Sequence, residues 1–145
     1  MRFTTLLLAL FASGAGAQTI ERINPEGMTQ PTAYHHLVRA GNLLFIAGQV
    51  ALDGEGTLVG AADMRAQVRQ VLENLKTVLA SQNADFSNIV KINIFTTDID
   101  AFREAADVRA TYFQGNPPAS TLVQIERLAQ PEFLVEIEAI AVVGE

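Results

Sequence analysis

Pro117-Pro118-Ala119-Ser120-Thr121-Leu122-Val123-Gln124-Ile125, followed by Val135-Glu136-Ile137-Glu138-Ala139-Ile140-Ala141-Val142, is the stretch that decides the fold. It reads as two β-strands joined by a short connection, near Thr121–Ile125 and Leu134–Val143. The second strand sets acidic residues inside an apolar alternation. Successive strand residues point to opposite faces, so Glu136 shares a face with Glu138, Ile140 and Val142. A carboxylate on a partly apolar face is costly unless paired, and desolvation there raises its pKa.

Working back along the chain, Gly115-Asn116-Pro117-Pro118 stops a helix predicted over Asp100 to Phe113, capped by Asp100 and carrying Phe102, Ala105, Ala106, Tyr112 and Phe113. Before it, Ile89 to Thr97 alternates as a half-covered strand, with Val90, Ile92 and Ile94 on one side and Lys91 and Asn93 on the other. The clearest helix runs from Asp63 to about Ser81. Val68, Val71, Leu72, Leu75, Val78 and Leu79 recur at helical spacing and form one apolar stripe. Asp63 suits the N-cap, and Asn83 falls where a left-handed C-terminal cap belongs. Ala33–Ala40 and Leu43–Val50 read as strands around the Ala40-Gly41-Asn42 turn. Leu43-Leu44-Phe45-Ile46-Ala47 is apolar on both faces, which predicts a central strand covered on both sides. Glu21 to Gln30 reads as an irregular lead-in, and Gly54, Gly56 and Gly60 as a loop or hairpin segment. Strands outnumber helices and the two are interspersed. The fold class is therefore α+β, a mixed sheet with two helices on one face. The other face then needs a partner, and another copy of the chain is the usual one.

The first residues have a different character. Arg2 is a short positive region, Leu6 to Phe11 and Ala12 form an apolar run, and Ala15-Gly16-Ala17 is a small-residue cleavage site. Residues 1–17 read as a secretory signal cleaved after Ala17, which predicts a periplasmic or secreted protein. The run is shorter than the roughly 20 apolar residues a bilayer span needs. Residues 18–145 then form a single domain with a sizeable core. Losing Arg2 takes the formal net charge from −6 to −7. An acidic domain without a basic cluster is a poor partner for nucleic acid or an anionic membrane. The chain has no cysteine, which removes thiol catalysis and thiolate metal sites. His35 and His36 are the only histidines. As strand neighbours they point apart, and no third ligand stands near, so no metal site is predicted.

These segments together resemble the Rid (RidA/YjgF-type) family. The resemblance covers roughly Gln18 to Val143. Its best local matches are Ile46-Ala47-Gly48-Gln49-Val50, the helix containing Gln67 through Leu75, Ile89-Val90-Lys91, Ala110-Thr111-Tyr112-Phe113 and the two C-terminal strands. It implies a chorismate-mutase-like α+β fold closed into a homotrimer, with clefts between subunits. It also implies cofactor-independent hydrolysis of 2-imino or 2-enamino acids. Water adds to the C=N carbon, ammonia leaves, and a 2-oxo acid remains. In that pattern an arginine grips the substrate carboxylate and a strand glutamate orients the water.

The glutamate matches Glu136, and the aromatic over the cleft matches Tyr34. The arginine position is Ser120, the cleft serine is Ala47 and the cleft cysteine is Leu122. A bidentate guanidinium–carboxylate contact is worth roughly 1.5–3 kcal/mol. Its loss weakens carboxylate binding about 10- to 150-fold. In Val108-Arg109-Ala110-Thr111-Tyr112, Arg109 stands where the family has a cleft asparagine. The guanidinium has a second possible origin there, on a helix; the plain alternative is a solvent-facing arginine or a partner of Asp107 or Glu104. Ser120 has no His–Asp partners for a nucleophilic triad, and Gly54-x-Gly56 lacks the strand-to-helix setting of a phosphate cradle.

Two functions follow as expectations. The first is an exported RidA-like protein that binds a small, acidic metabolite between subunits, with imine deaminase activity weak or absent. The second is a deaminase that uses Glu136 to orient water and Arg109 as a substitute anchor. Neither needs a cofactor.

Overall fold

The computed structural model describes residues 19–144; the signal reading of residues 1–17 lies outside them. Six strands form one sheet: β1 (Ile20–Ile23), β2 (Leu37–Ala40), β3 (Leu43–Gln49), β4 (Ile89–Thr96), β5 (Ala119–Gln124) and β6 (Val135–Val142). Their order across the sheet is β1-β2-β3-β6-β4-β5. All neighbours are antiparallel except β4 and β5. A parallel pair needs a crossover, and α2 (Ile99–Glu104) with α3 (Ala106–Phe113) supplies it. The two strands of the opening stretch are therefore not neighbours, because β4 lies between them.

Helix α1 (Met64–Ala80) forms where its stripe predicts. Val68, Val71, Leu72, Leu75, Val78 and Leu79 are all fully buried. They pack on Leu37, Leu44, Ile46, Ile92, Ile94, Val135, Ile137, Ala139 and Ala141, the alternate residues of β2, β3, β4 and β6. At about 25 cal/mol per Å2 of apolar surface removed from water, this layer is the main stabilising term. Asp63 caps the helix by accepting a hydrogen bond from the Ala66 amide at 3.0 Å. Asn83 takes the left-handed conformation, with φ +53°.

Several local readings are corrected. The lead-in contains β1, whose residues are mostly exposed and so carry no apolar pattern. The strand drawn from Ala33 begins only at Leu37, because the His36 amide donates to the Asn24 side chain at 2.9 Å instead of to a ladder partner. The second helix is two, capped by Asp98 rather than Asp100 and broken at Ala105. Phe102, Ala105 and Val108 are all buried. Residues three apart stay on one face only where the helix tightens toward three residues per turn, and the break provides that. Ala106, counted with the apolar face, is exposed. In β4 the register slips between Ile89 and Lys91, so Val90 is 49% exposed instead of joining Ile92 and Ile94.

Among the described residues the sheet is covered on one face only. Phe45 of β3 is 43% exposed, so the both-sides cover predicted for this strand is not supplied by the described residues. Paired residues share a face, and the register sets Glu136 beside Phe95, Glu138 beside Asn93, and Ile140 beside Phe45 and Lys91. These residues line the open face.

Candidate functional site

Glu136 is placed by its strand and by a glycine. Strand β6 enters the sheet through Gln67 of α1, which is fully buried. Its amide donates to the carbonyls of Gly60 at 3.1 Å and Glu132 at 2.8 Å, and its oxygen accepts from the Leu134 amide at 2.8 Å. Two residues on, the half-buried Glu136 side chain lies against the backbone of Gly48. A Cβ built on Gly48 would stand 1.9 Å from Glu136 Oε1 and 2.6 Å from its Cδ. Burial pushes the Glu136 pKa above the ordinary carboxylate range, and the negative charge of Glu138 adds to the shift. Glu138 is held by Asn93, whose Nδ2 donates to Oε1 at 2.7 Å.

Ala47 lies where β3 slips in register against β6, between Ile46 and Gln49. Its amide donates to the His36 carbonyl at 3.0 Å. With Phe45, Lys91, Asn93, Glu138 and Ile140 it lines a depression of about 270 Å3 on the open face. Tyr34 is 49% exposed, with its ring edge-on to His36 at 5.7 Å between centroids. His36 is buried and its Nε2 lies 3.0 Å from the Thr29 carbonyl, while His35 is exposed. Among the described residues no group of His, Asp and Glu is arranged to hold a metal ion.

The other predicted residues are elsewhere. Ser120 pairs with Ile92 and Leu122 with Ile94 in the parallel β4–β5 ladder. Ile92 and Ile94 face the helices, so Ser120 and Leu122 face that side too, on the edge strand. Ser120 is exposed, and Leu122 packs against the core. Arg109 is on α3, also on the helix side. Its guanidinium stacks over the Phe102 ring at 5.0 Å, and its buried Nε has no hydrogen-bond partner among the described residues. Desolvation lowers its pKa. Among the described residues Arg109 forms no ion pair with Asp107 or Glu104; Arg65 holds Asp107, with bonds at 2.7 Å, and the Glu104 backbone carbonyl.

The candidate residues thus fall into two groups on opposite faces of the sheet. Glu136 and Ala47 are on the open face; Arg109, Ser120 and Leu122 are on the helix side near the free edge of β5. Sequence reasoning missed Gly48, Asn93 and Lys91. Gly48 is readable in the sequence as an interruption of a strand, and that break in pattern was its one available signal.

Fold and candidate residues define an α+β protein with a one-sided mixed sheet and a raised-pKa carboxylate on its open face. The chain belongs to the Ribonuc_L-PSP family, the RidA/YjgF group, whose sequence profile, described as Endoribonuclease L-PSP, matches residues 27–143. It is 37% identical to a RutC family protein of Pyrococcus horikoshii over 108 residues, 74% of this chain and 85% of that protein. It is 33% identical to the 2-iminobutanoate/2-iminopropanoate deaminase of Rattus norvegicus over 112 residues, 77% of this chain and 81% of that one. Among solved structures, the Rid family protein YyfA of Yersinia pestis superposes with a TM-score of 0.80 at 32% identity, over 86% of this chain and all of that one. The Rid resemblance and the α+β fold read from the sequence are both found.

Proposed function

We propose that this chain is an exported Rid-family protein that binds a small acidic metabolite in clefts between copies, and that it hydrolyses imino acids slowly or not at all. The observation that carries the reading is the split of the candidate residues across the sheet. A ligand touching both Glu136 and the Ser120 edge has to be held by two chains, the open face of one against the β5 edge of the next. Three copies arranged in a ring satisfy every open face and every edge with one repeated contact. The exposed Phe45 and Val123, with Ile140, give that contact an apolar centre.

The ligand is an acid because the helix side presents Arg109, stacked and partly desolvated, with no ion pair among the described residues. Ser120 offers one neutral hydrogen bond where a guanidinium would offer two charged ones, which argues for reduced turnover of ordinary 2-imino acids. Export rests on the pattern of residues 1–17. The word endoribonuclease in the family description points toward RNA; 16 acidic residues against 10 Lys and Arg argue against a phosphate-backbone ligand.

A second reading has its own support. The half-buried Glu136 beside Glu138 is a carboxylate whose raised pKa favours proton exchange with water, and the rat relative is named an imine deaminase. In that reading Glu136 orients the water and Arg109 replaces the missing strand arginine.

Both readings use Arg109, so its removal tests their shared part. Titration of the mature protein with 2-oxobutanoate and with a longer dicarboxylic 2-oxo acid, followed by NMR, should give an affinity that falls about 10- to 150-fold in Arg109→Ala. Unchanged affinity for every carboxylate tried removes Arg109 from the site.

A further inference from the structure

We infer that Gly48 is a positioning residue for Glu136: its missing side chain is the seat on which the carboxyl rests, and that seat fixes where the carboxyl points. The inference rests on the reading of Glu136 as the site carboxylate.

A glycine inside a strand has two ordinary explanations. One is a backbone conformation that other residues avoid. Gly48 does not have it: the glycines with positive φ are Gly27, Gly41, Gly56, Gly60 and Gly115. The other is close approach of another group, and here the approaching group is specific. The three nearest atoms that a Gly48 Cβ would meet all belong to Glu136: Oε1 at 1.9 Å, Cδ at 2.6 Å and Cγ at 2.8 Å. The first group in the way of a side chain at this position is the Glu136 carboxyl.

The placing of Gly48 follows from the register. Between Ile46 and Gln49 the β3–β6 pairing slips by one residue, and the slip brings Gly48 under the β6 side chain. On the far side of β6, Phe95 of β4 is the paired neighbour of Glu136. The carboxyl is thus bounded by a glycine backbone on one strand and paired with an aromatic position on the other. Among the described residues it makes no side-chain hydrogen bond. The charged groups sharing this face are Glu138 on the same strand, Lys91 on β4, whose Nζ donates to Thr121 at 2.6 Å, and Arg22 on the far strand β1. Packing on Gly48, and not a bond to a fixed partner, holds Glu136, which leaves its oxygens for water or a ligand.

Alanine at position 48 has an escape that keeps the fold, since the atoms it meets are the end of a flexible side chain. The carboxyl swings outward into solvent. A carbon-detected NMR titration of Glu136 in the ligand-free protein reads this directly. In Gly48→Ala the Glu136 midpoint should fall toward the ordinary glutamate range while the melting temperature stays close to wild type. An unchanged midpoint in folded Gly48→Ala overturns the inference. Should Gly48→Ala not fold, the Gly48→Ala/Glu136→Ala double variant should recover the fold; its failure to do so also overturns the inference. No ligand is needed, so the seat can fail while ligand binding stands, and the reverse.

Discussion

At the scale of single residues, Glu136 is a carboxyl kept in a poor place for charge. Burial raises the Glu136 pKa, with help from Glu138, so the native chain holds that proton more tightly than the unfolded chain does. The stability tied to the proton is complete below the unfolded pKa and is lost as pH rises through the folded value. Above that window the native state carries an unfavourable anion. Glu136→Gln, neutral at every pH, should therefore melt higher than wild type at pH 7, by no more than about 2–4 °C given solvent screening of a half-exposed group. The difference should vanish below about pH 4. Thermal unfolding across pH checks it; a variant equal to wild type at neutral pH would mean that the carboxylate is comfortably solvated. Glu136 itself was legible in the sequence, because an acid inside an apolar alternation is conspicuous. Its seat was not, because a steric fit between residues 48 and 136 joins strands that only the folded register brings together.

At the scale of elements, α1 does more than cover the sheet. Gln67 is a polar residue within its apolar face, yet it is fully buried and makes three hydrogen bonds to the backbone around Gly60, Glu132 and Leu134. It ties the helix to the chain just before β6 and so sets where Glu136 begins. Gln67→Leu keeps the volume roughly and strips those partners. It should destabilise by about 1–3 kcal/mol through the buried groups left unpaired, measured by denaturant unfolding; a loss under about 0.5 kcal/mol would show that water replaces the amide. The elements themselves were largely readable. The stripe of α1, with its Asp63 cap, and the alternation of β6 are strong periodic signals that tertiary packing reinforces. The misreadings share a cause, since each arose where hydrogen bonding overrode pattern: the short, mostly exposed edge strand β1, the Asn24 contact that delays β2, the break at Ala105, and the slip that turns Val90 outward. None of these leaves a periodic trace.

At the scale of the whole molecule, the sheet carries a candidate half-site on each face, and the described residues leave one face uncovered. Phe45, Val90 and Val123 are exposed, and Glu136 and Ala47 lie on the same side as Phe45. That arrangement explains why a single chain cannot bring Glu136 to Ser120, and why the proposed cleft belongs to an assembly. In the sequence the proposed assembly is signalled by the sheet face that helices on one side leave uncovered and by the homotrimer the Rid resemblance implies. The most direct test of the account is ammonia release from freshly generated 2-iminobutanoate, measured for the mature wild-type protein, Ser120→Arg and Glu136→Gln. Wild type should release ammonia slowly, and Ser120→Arg, with a guanidinium at that position, should gain. Rapid release by wild type, abolished in Glu136→Gln, would contradict that expectation and establish the chain as a deaminase in its own right.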